Sequence, residues 1–131
     1  MNFTSLAVDN ISELLIKIIE FTTDRQKTLT RNINNIYNLG FVPKDIAVEE
    51  FSALLHEAID EHTQNKRLLL RDTENIKFGS GGSLKIKTIV DEYANDLLEE
   101  DIEKYLELQI DKIIENSFNQ RVAAQLLKER Q

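Results

Sequence analysis

The sequence predicts a single, mainly α-helical domain spanning residues 1–131. Apolar residues recur at helical spacing over two long segments, one near each end of the chain. Between them, residues 38–92 show one shorter helical pattern and one segment of alternating apolar and charged residues, which indicates a strand. We therefore expect long N-terminal and C-terminal helices that pair as an antiparallel or coiled-coil-like bundle, with a short middle helix and a small β-hairpin.

The first long helix is predicted to cover residues 9–37. Asp9 or Asn10 offers a side-chain oxygen for the N-cap, and no Gly or Pro interrupts the apolar stripe that follows. The stripe is less apolar at residues 22–24, where we expect a weak point or a kink. Its apolar positions are Ile11, Leu14, Leu15, Ile18, Ile19, Leu29, Ile33 and Ile36.

A turn and a second helix are predicted after this segment. Gly40 can adopt the left-handed conformation that closes helix C-termini, and Pro43 favours an extended connector. Asp45 is then expected to cap a shorter amphipathic helix over residues 46–61.

The rest of the chain is predicted to form a hairpin and a second long helix. Residues 66–71 and 84–89 are the two expected strands, and the polar, glycine-rich residues 72–83 are expected to form a mobile loop between them. Helical spacing returns over residues 93–130, which we read as one continuous helix.

Composition excludes several functional classes. The chain carries 16 Lys and Arg against 23 Asp and Glu, so its formal net charge of -7 disfavours nucleic acid and anionic lipid surfaces as partners. The absence of Cys excludes disulfides, thiolate catalysis and Cys-ligated zinc. No apolar run is long enough to span a bilayer, and no general secretory signal peptide is visible. Any export is expected to use another route.

Two segments carry a recognisable pattern. The first combines Arg-Gln, Leu and Asn-Ile-x-Asn positions with a Gly-aromatic pair and an Asp-Ile step, and the second is a Glu-Asn-Ser-Phe run in the C-terminal helix. The matching residues are Arg25, Gln26, Leu29, Asn32, Ile33, Asn35, Gly40, Phe41, Asp45, Ile46, Glu115, Asn116, Ser117 and Phe118. This pattern resembles the bacterial flagellar basal-body rod protein family, in particular its proximal-rod subunits. The Asp-Ile-Glu-Lys run at residues 101–104 also resembles the step that precedes that family's C-terminal helix.

The resemblance implies a structural role without catalysis or a cofactor. Similar proteins pair their terminal helices and stack with copies of themselves and with other axial proteins into a rod that crosses the periplasm. They are exported by the flagellar type III apparatus without a cleaved signal peptide. In this picture Asn32 and Asn35, near the end of the first helix, bond free carbonyl groups or a neighbouring chain and fix the register of an apolar seam.

Two other functional classes are alternatives to this one. A soluble helical adaptor or secretion chaperone would bind a partner helix in a groove between the long helices. A metal-dependent enzyme would use His56 with Asp60, which have i, i+4 spacing, but two ligands make a weak site and His62 projects in another direction. The many carboxylates are expected to be solvated surface, and the glycine-rich segment lacks the residues of a phosphate-binding loop.

Overall fold

The fold is an antiparallel pair of long helices with a smaller α/β layer packed on one side. The computed structural model describes residues 3–79 and 84–130, and it confirms the mainly helical architecture with paired terminal helices. The elements are α1 (Phe3–Asn34), β1 (Lys44–Ile46), α2 (Val48–Asn65), β2 (Ile76–Lys77), β3 (Lys85–Ile86), β4 (Thr88–Val90), α3 (Glu92–Glu100) and α4 (Ile102–Glu129).

Helix α1 begins earlier and ends earlier than predicted. It continues without a break through residues 22–24, where a weak point was expected. The Thr22 and Thr23 hydroxyls donate hydrogen bonds to carbonyls of the preceding turn at 2.8 and 2.7 Å, so they are satisfied within the helix. The prediction of an N-cap at Asp9 or Asn10 was wrong, since both residues lie inside the helix. The Asn10 amide donates instead to the backbone carbonyl of Lys66, at 3.2 Å.

The segment after α1 differs from the prediction at its second helix. Gly40 does adopt a left-handed conformation, with φ of +80°, in the turn that leads to β1. Asp45, however, lies within β1 and does not cap α2, whose N-cap residue Ala47 makes no side-chain bond. The carboxylate of Asp45 is engaged by other partners, described below.

The hairpin forms with a different first strand. Residues 66–71 are not a strand; β2 pairs instead with β3, in the antiparallel register Ile76↔Ile86 and Lys77↔Lys85. The segment predicted as a mobile loop therefore contributes core residues, because Ile76 and Phe78 are buried. Residues 80–83 of that predicted loop lie outside the described residues.

Glu50 of α2 explains why this polar segment is ordered. Its carboxylate accepts hydrogen bonds from the hydroxyl of Thr73 and from both the backbone and side-chain nitrogens of Asn75. These bonds lower the pKa of Glu50 from its ordinary value. A polar composition was thus compatible with a fixed conformation, because a carboxylate on α2 satisfies the segment's donors.

A second strand pair connects the turn to the C-terminal half of the chain. Strand β1 pairs antiparallel with β4, with Asp45 opposite Ile89, and the Asp91 amide donates to the Pro43 carbonyl at 3.0 Å. The predicted strand over residues 84–89 is therefore divided between two partners. The division falls at Lys87.

The C-terminal helix is divided in two, contrary to the single helix predicted over residues 93–130. Asp101 has extended backbone angles (φ -154°, ψ 92°), and its side chain accepts from the Lys104 amide as the N-cap of α4. The apolar period continues across this position, so periodicity alone did not reveal the break. Asp91 caps α3 in the same way through the Ala94 amide.

The apolar core lies between α1, α2 and the β2–β3 hairpin. The rings of Phe21 and Phe51 are stacked at its centre, with centroids 4.0 Å apart and planes 7° apart. The buried cluster consists of Phe21, Ile46, Phe51, Leu54, Ile76, Phe78 and Leu84. Among residues 3–79 and 84–130, no helix is both long enough and apolar enough to cross a lipid bilayer.

The corrected hairpin can be checked by comparing two apolar residues. Replacing buried Ile76 by Ala should lower the free energy of unfolding by about 2–5 kcal/mol, because the substitution leaves a cavity in the core. Leu68, which is exposed in the segment wrongly predicted as a strand, should cost less than about 1 kcal/mol when replaced by Ala. Chemical denaturation followed by circular dichroism measures both values, and equal losses would contradict this strand assignment.

Candidate functional site

The seam between α1 and α4 is the principal long-range contact of the fold. Hydrogen bonds join the end of α1 to the start of α4 and the middle of α1 to more C-terminal positions of α4, so the two helices run antiparallel. The Tyr105 hydroxyl donates to the Asn32 carbonyl at 2.8 Å, and the Gln120 amide donates to the Thr23 hydroxyl at 2.8 Å.

A network of four charged side chains locks this seam to β1. Arg25 of α1 makes a bidentate contact with Asp45, at 3.0 and 3.1 Å. Lys112 of α4 reaches the same carboxylate at 2.8 Å and that of Asp91 at 2.7 Å. Because Asp91 also caps α3, the network connects α1, β1, α4 and the start of α3. We call these four residues the charged lock.

Burial and pairing together set the ionisation of the charged lock. Burial of the Asp45 carboxyl raises its pKa, but the hydrogen bonds from Arg25 and Lys112 outweigh this and hold the pKa below its ordinary value of 3.8. Burial lowers the pKa of Lys112, whereas its bonds to Asp45 and Asp91 raise it above 10.5. Asp45 and Lys112 are therefore both charged at neutral pH.

Asn32 attaches β1 to α1 by imitating a peptide group. Its side-chain nitrogen donates to the Lys44 carbonyl at 2.7 Å, and its side-chain oxygen accepts from the Lys44 amide at 3.1 Å. The same nitrogen donates to the Gln109 side chain of α4 at 3.0 Å. Asn32 is 2% exposed, so its amide holds three elements together in a site largely shielded from water.

The buried side of α4 is polar over much of its length. Asn116 donates to the Thr22 carbonyl at 2.7 Å and approaches the Gln26 side-chain oxygen at 3.5 Å. Gln109 accepts from Asn32, while its side-chain nitrogen has no hydrogen-bond partner among the described residues. Burial raises the pKa of Tyr105 to about 12, with a further contribution from the charge of Asp91. The seam is a hydrogen-bonded contact and not a dry apolar zipper.

The other predicted motif residues divide between the core and the surface. Leu29 and Ile46 are buried, while Gln26, Ile33, Phe41 and Ser117 are half-buried. Among residues 3–79 and 84–130, Asn35 bonds only to Arg31 in the last turn of α1 and to the neighbouring Asn38. Glu115 reaches Arg25 at a long 3.5 Å. Phe118 is 60% exposed. The sequence motif therefore marks contacts within one chain, with Phe118 as its most exposed apolar member.

Helix α4 carries an exposed row of apolar side chains, one every four residues. We call this row the α4 stripe; it consists of Ile110, Ile114, Phe118, Val122 and Leu126. Side chains at this spacing form a continuous ridge along a helix surface. The usual arrangement is reversed in part, because α4 buries the amides of Gln109 and Asn116 while it exposes these apolar residues.

An apolar groove overlaps the C-terminal part of the α4 stripe, since Phe118, Val122 and Leu126 are among its lining residues. It has a volume of about 360 Å³ and lies between α1, α2 and α4. Phe21 and Phe51 contribute to its floor from the core, and Leu55, Val122 and Leu126 line it from α2 and α4. A groove with these walls has the chemistry to receive an apolar side chain of another helix.

Sequence reasoning missed four members of the site. Lys112, Asp91, Gln109 and Tyr105 were not selected as candidate residues. Lys112, Gln109 and Tyr105 each contact a motif residue, and Asp91 bonds to Lys112. The sequence contains a weak signal for two of them. Gln109 and Lys112 are polar residues within the apolar helical pattern of residues 93–130. Asp91 could be assigned only once the pairing of β1 with β4 was known.

The residues considered for metal binding do not form a cluster. His56 is exposed on α2, and His62 contacts the side chain of Asn10 at 3.4 Å. In the part of the chain that the structure describes, no three His, Cys, Asp or Glu side chains are grouped so that they could hold an ion.

Replacing Asp45 by Asn should destabilise the chain by about 3 kcal/mol at pH 7, because the buried Arg25 and the half-buried Lys112 would lose their shared anion. The folded-state pKa of Asp45 is depressed, so its contribution is present above pH 3.8 and is lost as the pH falls through the lower folded-state value. The unaltered chain and Asp45→Asn should be denatured at pH 7 and at pH 2. The difference between their free energies of unfolding should be smaller at pH 2.

The matched control for Asp45 is Glu57→Gln, which removes an exposed carboxylate that also pairs with an arginine, Arg71. This change should leave the unfolding midpoint nearly unchanged, since exposed ion pairs contribute little. If Asp45→Asn destabilises the chain as little as the control does, the charged lock is refuted.

Two asparagines of the motif should differ in their effect on stability. Asn32→Ala should lower the free energy of unfolding by about 1–3 kcal/mol, because it leaves the Lys44 amide and carbonyl without their buried partners. Asn35→Ala, in an exposed part of the turn, should cost less than about 0.5 kcal/mol. Thermal or urea denaturation distinguishes the two, and a reversed order would contradict the assignment of Asn32.

Comparison with known proteins identifies no relative, so the proposed function rests on the seam, the α4 stripe and the sequence motif. The sequence matches no protein-family model, no curated protein and no solved structure.

Proposed function

We propose that this chain is a structural subunit that assembles with copies of itself through its terminal helices, as the proximal-rod proteins that it resembles do. The observation that carries the proposal is the α4 stripe. Five apolar side chains lie in a row on a helix whose buried side is largely polar. A contact that covered this row would remove apolar area from water at about 25 cal/mol per Å².

The charged lock and the amide seam support the same proposal in a different way. A surface that must match a neighbour needs to be held in one position before contact, since ordering it at the moment of binding costs free energy. Asn32 and Asn116 fix the register of α4 on α1, and the charged lock fixes β1 against both. The motif residues then act as internal supports for the surface that assembles.

Because the chain resembles proximal-rod proteins, we also propose its partners and its location. The partners are copies of this chain, other rod and axial proteins, and the flagellar export apparatus. The location is the periplasmic rod of a flagellar basal body, reached without a cleaved signal peptide. No catalytic group or cofactor has a part in this function.

A second candidate is favoured by the apolar groove between α1, α2 and α4. A soluble adaptor or secretion chaperone would hold a partner's helix there, with an apolar side chain against Phe21 and Phe51. This function predicts a stable particle of fixed size that binds a foreign helix. The assembly function predicts a mass that grows with concentration.

Self-association can be tested with a variant of the α4 stripe. The purified chain should show a weight-average mass that rises above 15.2 kDa from about 10 µM to about 1 mM in sedimentation velocity or light scattering. Ile114→Glu with Phe118→Glu should weaken this association at least about tenfold, because two apolar anchors would be replaced by charges.

The control is Gln125→Glu, an exposed position of the same helix outside the stripe, which should associate as the unaltered chain does. Circular dichroism verifies that all three proteins are folded. A chain that remains monomeric up to 1 mM would contradict the assembly function. A dimer whose mass stays fixed across this concentration range would favour the adaptor.

A further inference from the structure

A basic pocket lies beside the turn that follows α1. It has a volume of about 350 Å³, and Arg31 of α1, Lys44 of β1 and Thr88 of β4 line it together with Gly40 of the turn. The strand pairing of β1 with β4 brings Thr88 to this pocket, and the hydrogen bonds of Asn32 hold Lys44 beside the end of α1. We call it the Arg31–Lys44 pocket.

The two cations of this pocket have no anionic partner within the chain. Across residues 3–79 and 84–130, neither the Arg31 guanidinium nor the Lys44 ammonium forms an ion pair or a side-chain hydrogen bond, and no acidic side chain lines the pocket. By contrast, the exposed Arg67 and Arg71 are both held by glutamates. Arg31 and Lys44 are both exposed and line the same pocket.

A second depression extends the positive surface along α1. It shares Arg31 with the first and adds Lys27, one helical turn earlier. No acidic residue lines this depression either, within the described part of the chain. Three cations therefore face solvent over a short distance at the C-terminal end of α1.

The chemistry of the Arg31–Lys44 pocket suits carboxylates. A guanidinium offers parallel donors that match the two oxygens of a carboxylate, and an ammonium adds a point charge beside it. The Thr88 hydroxyl adds a neutral donor at the same wall. Phe41 and Val42 add apolar surface to the lining.

The chain itself carries an exposed anionic segment that matches this pocket. Glu99, Glu100 and Glu103 lie on either side of the α3–α4 junction, and all three are exposed and without ion pairs in the described residues. Because Tyr105 bonds to Asn32, this junction lies at the same end of the α1–α4 pair as the pocket. If two copies lay side by side in the same orientation, the pocket of one copy would lie at the same height as the acidic segment of the other.

We propose that the Arg31–Lys44 pocket binds the carboxylates of Glu99, Glu100 and Glu103 of a second copy of this chain. This inference rests on the proposed self-assembly and names an ionic contact that the α4 stripe does not supply. Charge pairs at the rim of an interface set partner choice and orientation, which an apolar ridge alone leaves undetermined.

A charge-exchange experiment tests the contact. One variant carries Arg31→Glu with Lys44→Glu, and a second carries Glu99→Lys with Glu100→Lys. Each alone should associate at least about tenfold more weakly than the unaltered chain in sedimentation velocity, because like charges would then meet. An equimolar mixture should regain association, since the reversed pocket of one variant faces the reversed segment of the other.

Lys85→Glu with Lys128→Glu is the matched control, because it changes the net charge equally at two exposed positions outside the pocket. It should associate as the unaltered chain does at about 150 mM salt. If the chain associates but neither pocket nor segment variant weakens it, the ionic contact is refuted while the assembly function stands. Equal weakening by the control also refutes the contact, since total charge alone would explain the effect.

A peptide experiment separates the pocket from assembly. A synthetic peptide of residues 96–105 should shift the NMR signals of Arg31 and Lys44, whereas the same peptide with Gln at positions 99, 100 and 103 should not. If the chain binds the peptide but never associates with itself, the pocket does bind carboxylates and the assembly function is refuted. Shifts caused by inorganic phosphate but not by the acidic peptide would overturn the proposed occupant.

Discussion

The carboxylate of Asp45 is the point on which the relative positions of the helices and strands depend. It receives Arg25 from α1 and Lys112 from α4, and it sits in a strand whose partner leads directly into α3. Two cations against one largely buried anion would be costly if Asp91 did not supply a second carboxylate to Lys112. The network is balanced only when all four elements are in place, so it couples the formation of the seam to the pairing of β1 with β4.

The polar seam explains why α4 can present apolar side chains to solvent without losing its position. Its contacts with α1 are directional hydrogen bonds to particular carbonyls, so a shift of α4 by one turn would leave buried amides without partners. Apolar packing tolerates such shifts more readily. The register of α4 is thereby fixed by its polar side, and its apolar side is free for another contact.

Much of the fold followed from periodicity, and the errors have identifiable physical causes. The long helices were predictable because apolar residues recur at helical spacing over both segments. Their pairing was also predicted, but on the expectation that the helices would cover each other's apolar residues, whereas α4 contacts α1 largely through polar side chains and leaves the α4 stripe exposed. The break at Asp101 was hidden because an N-cap interrupts hydrogen bonding without interrupting the apolar period. Asp45 was misassigned because a carboxylate before a helical pattern has the form of a cap, whereas its distant cationic partners are invisible in sequence. Similarly, residues 66–71 looked more like a strand than residues 72–79, which depend on Glu50 for their order.

The contrast between the seam and the core has a thermodynamic consequence. Exposure of apolar surface raises the heat capacity, whereas exposure of polar surface lowers it. Opening the core around Phe21 and Phe51 therefore carries a large positive heat-capacity change, and parting α1 from α4 along amides and charges carries a small one. The core then weakens on cooling more than the seam does, because only apolar contacts lose strength in the cold. At low temperature the two long helices stay joined while the packing beneath α2 loosens first.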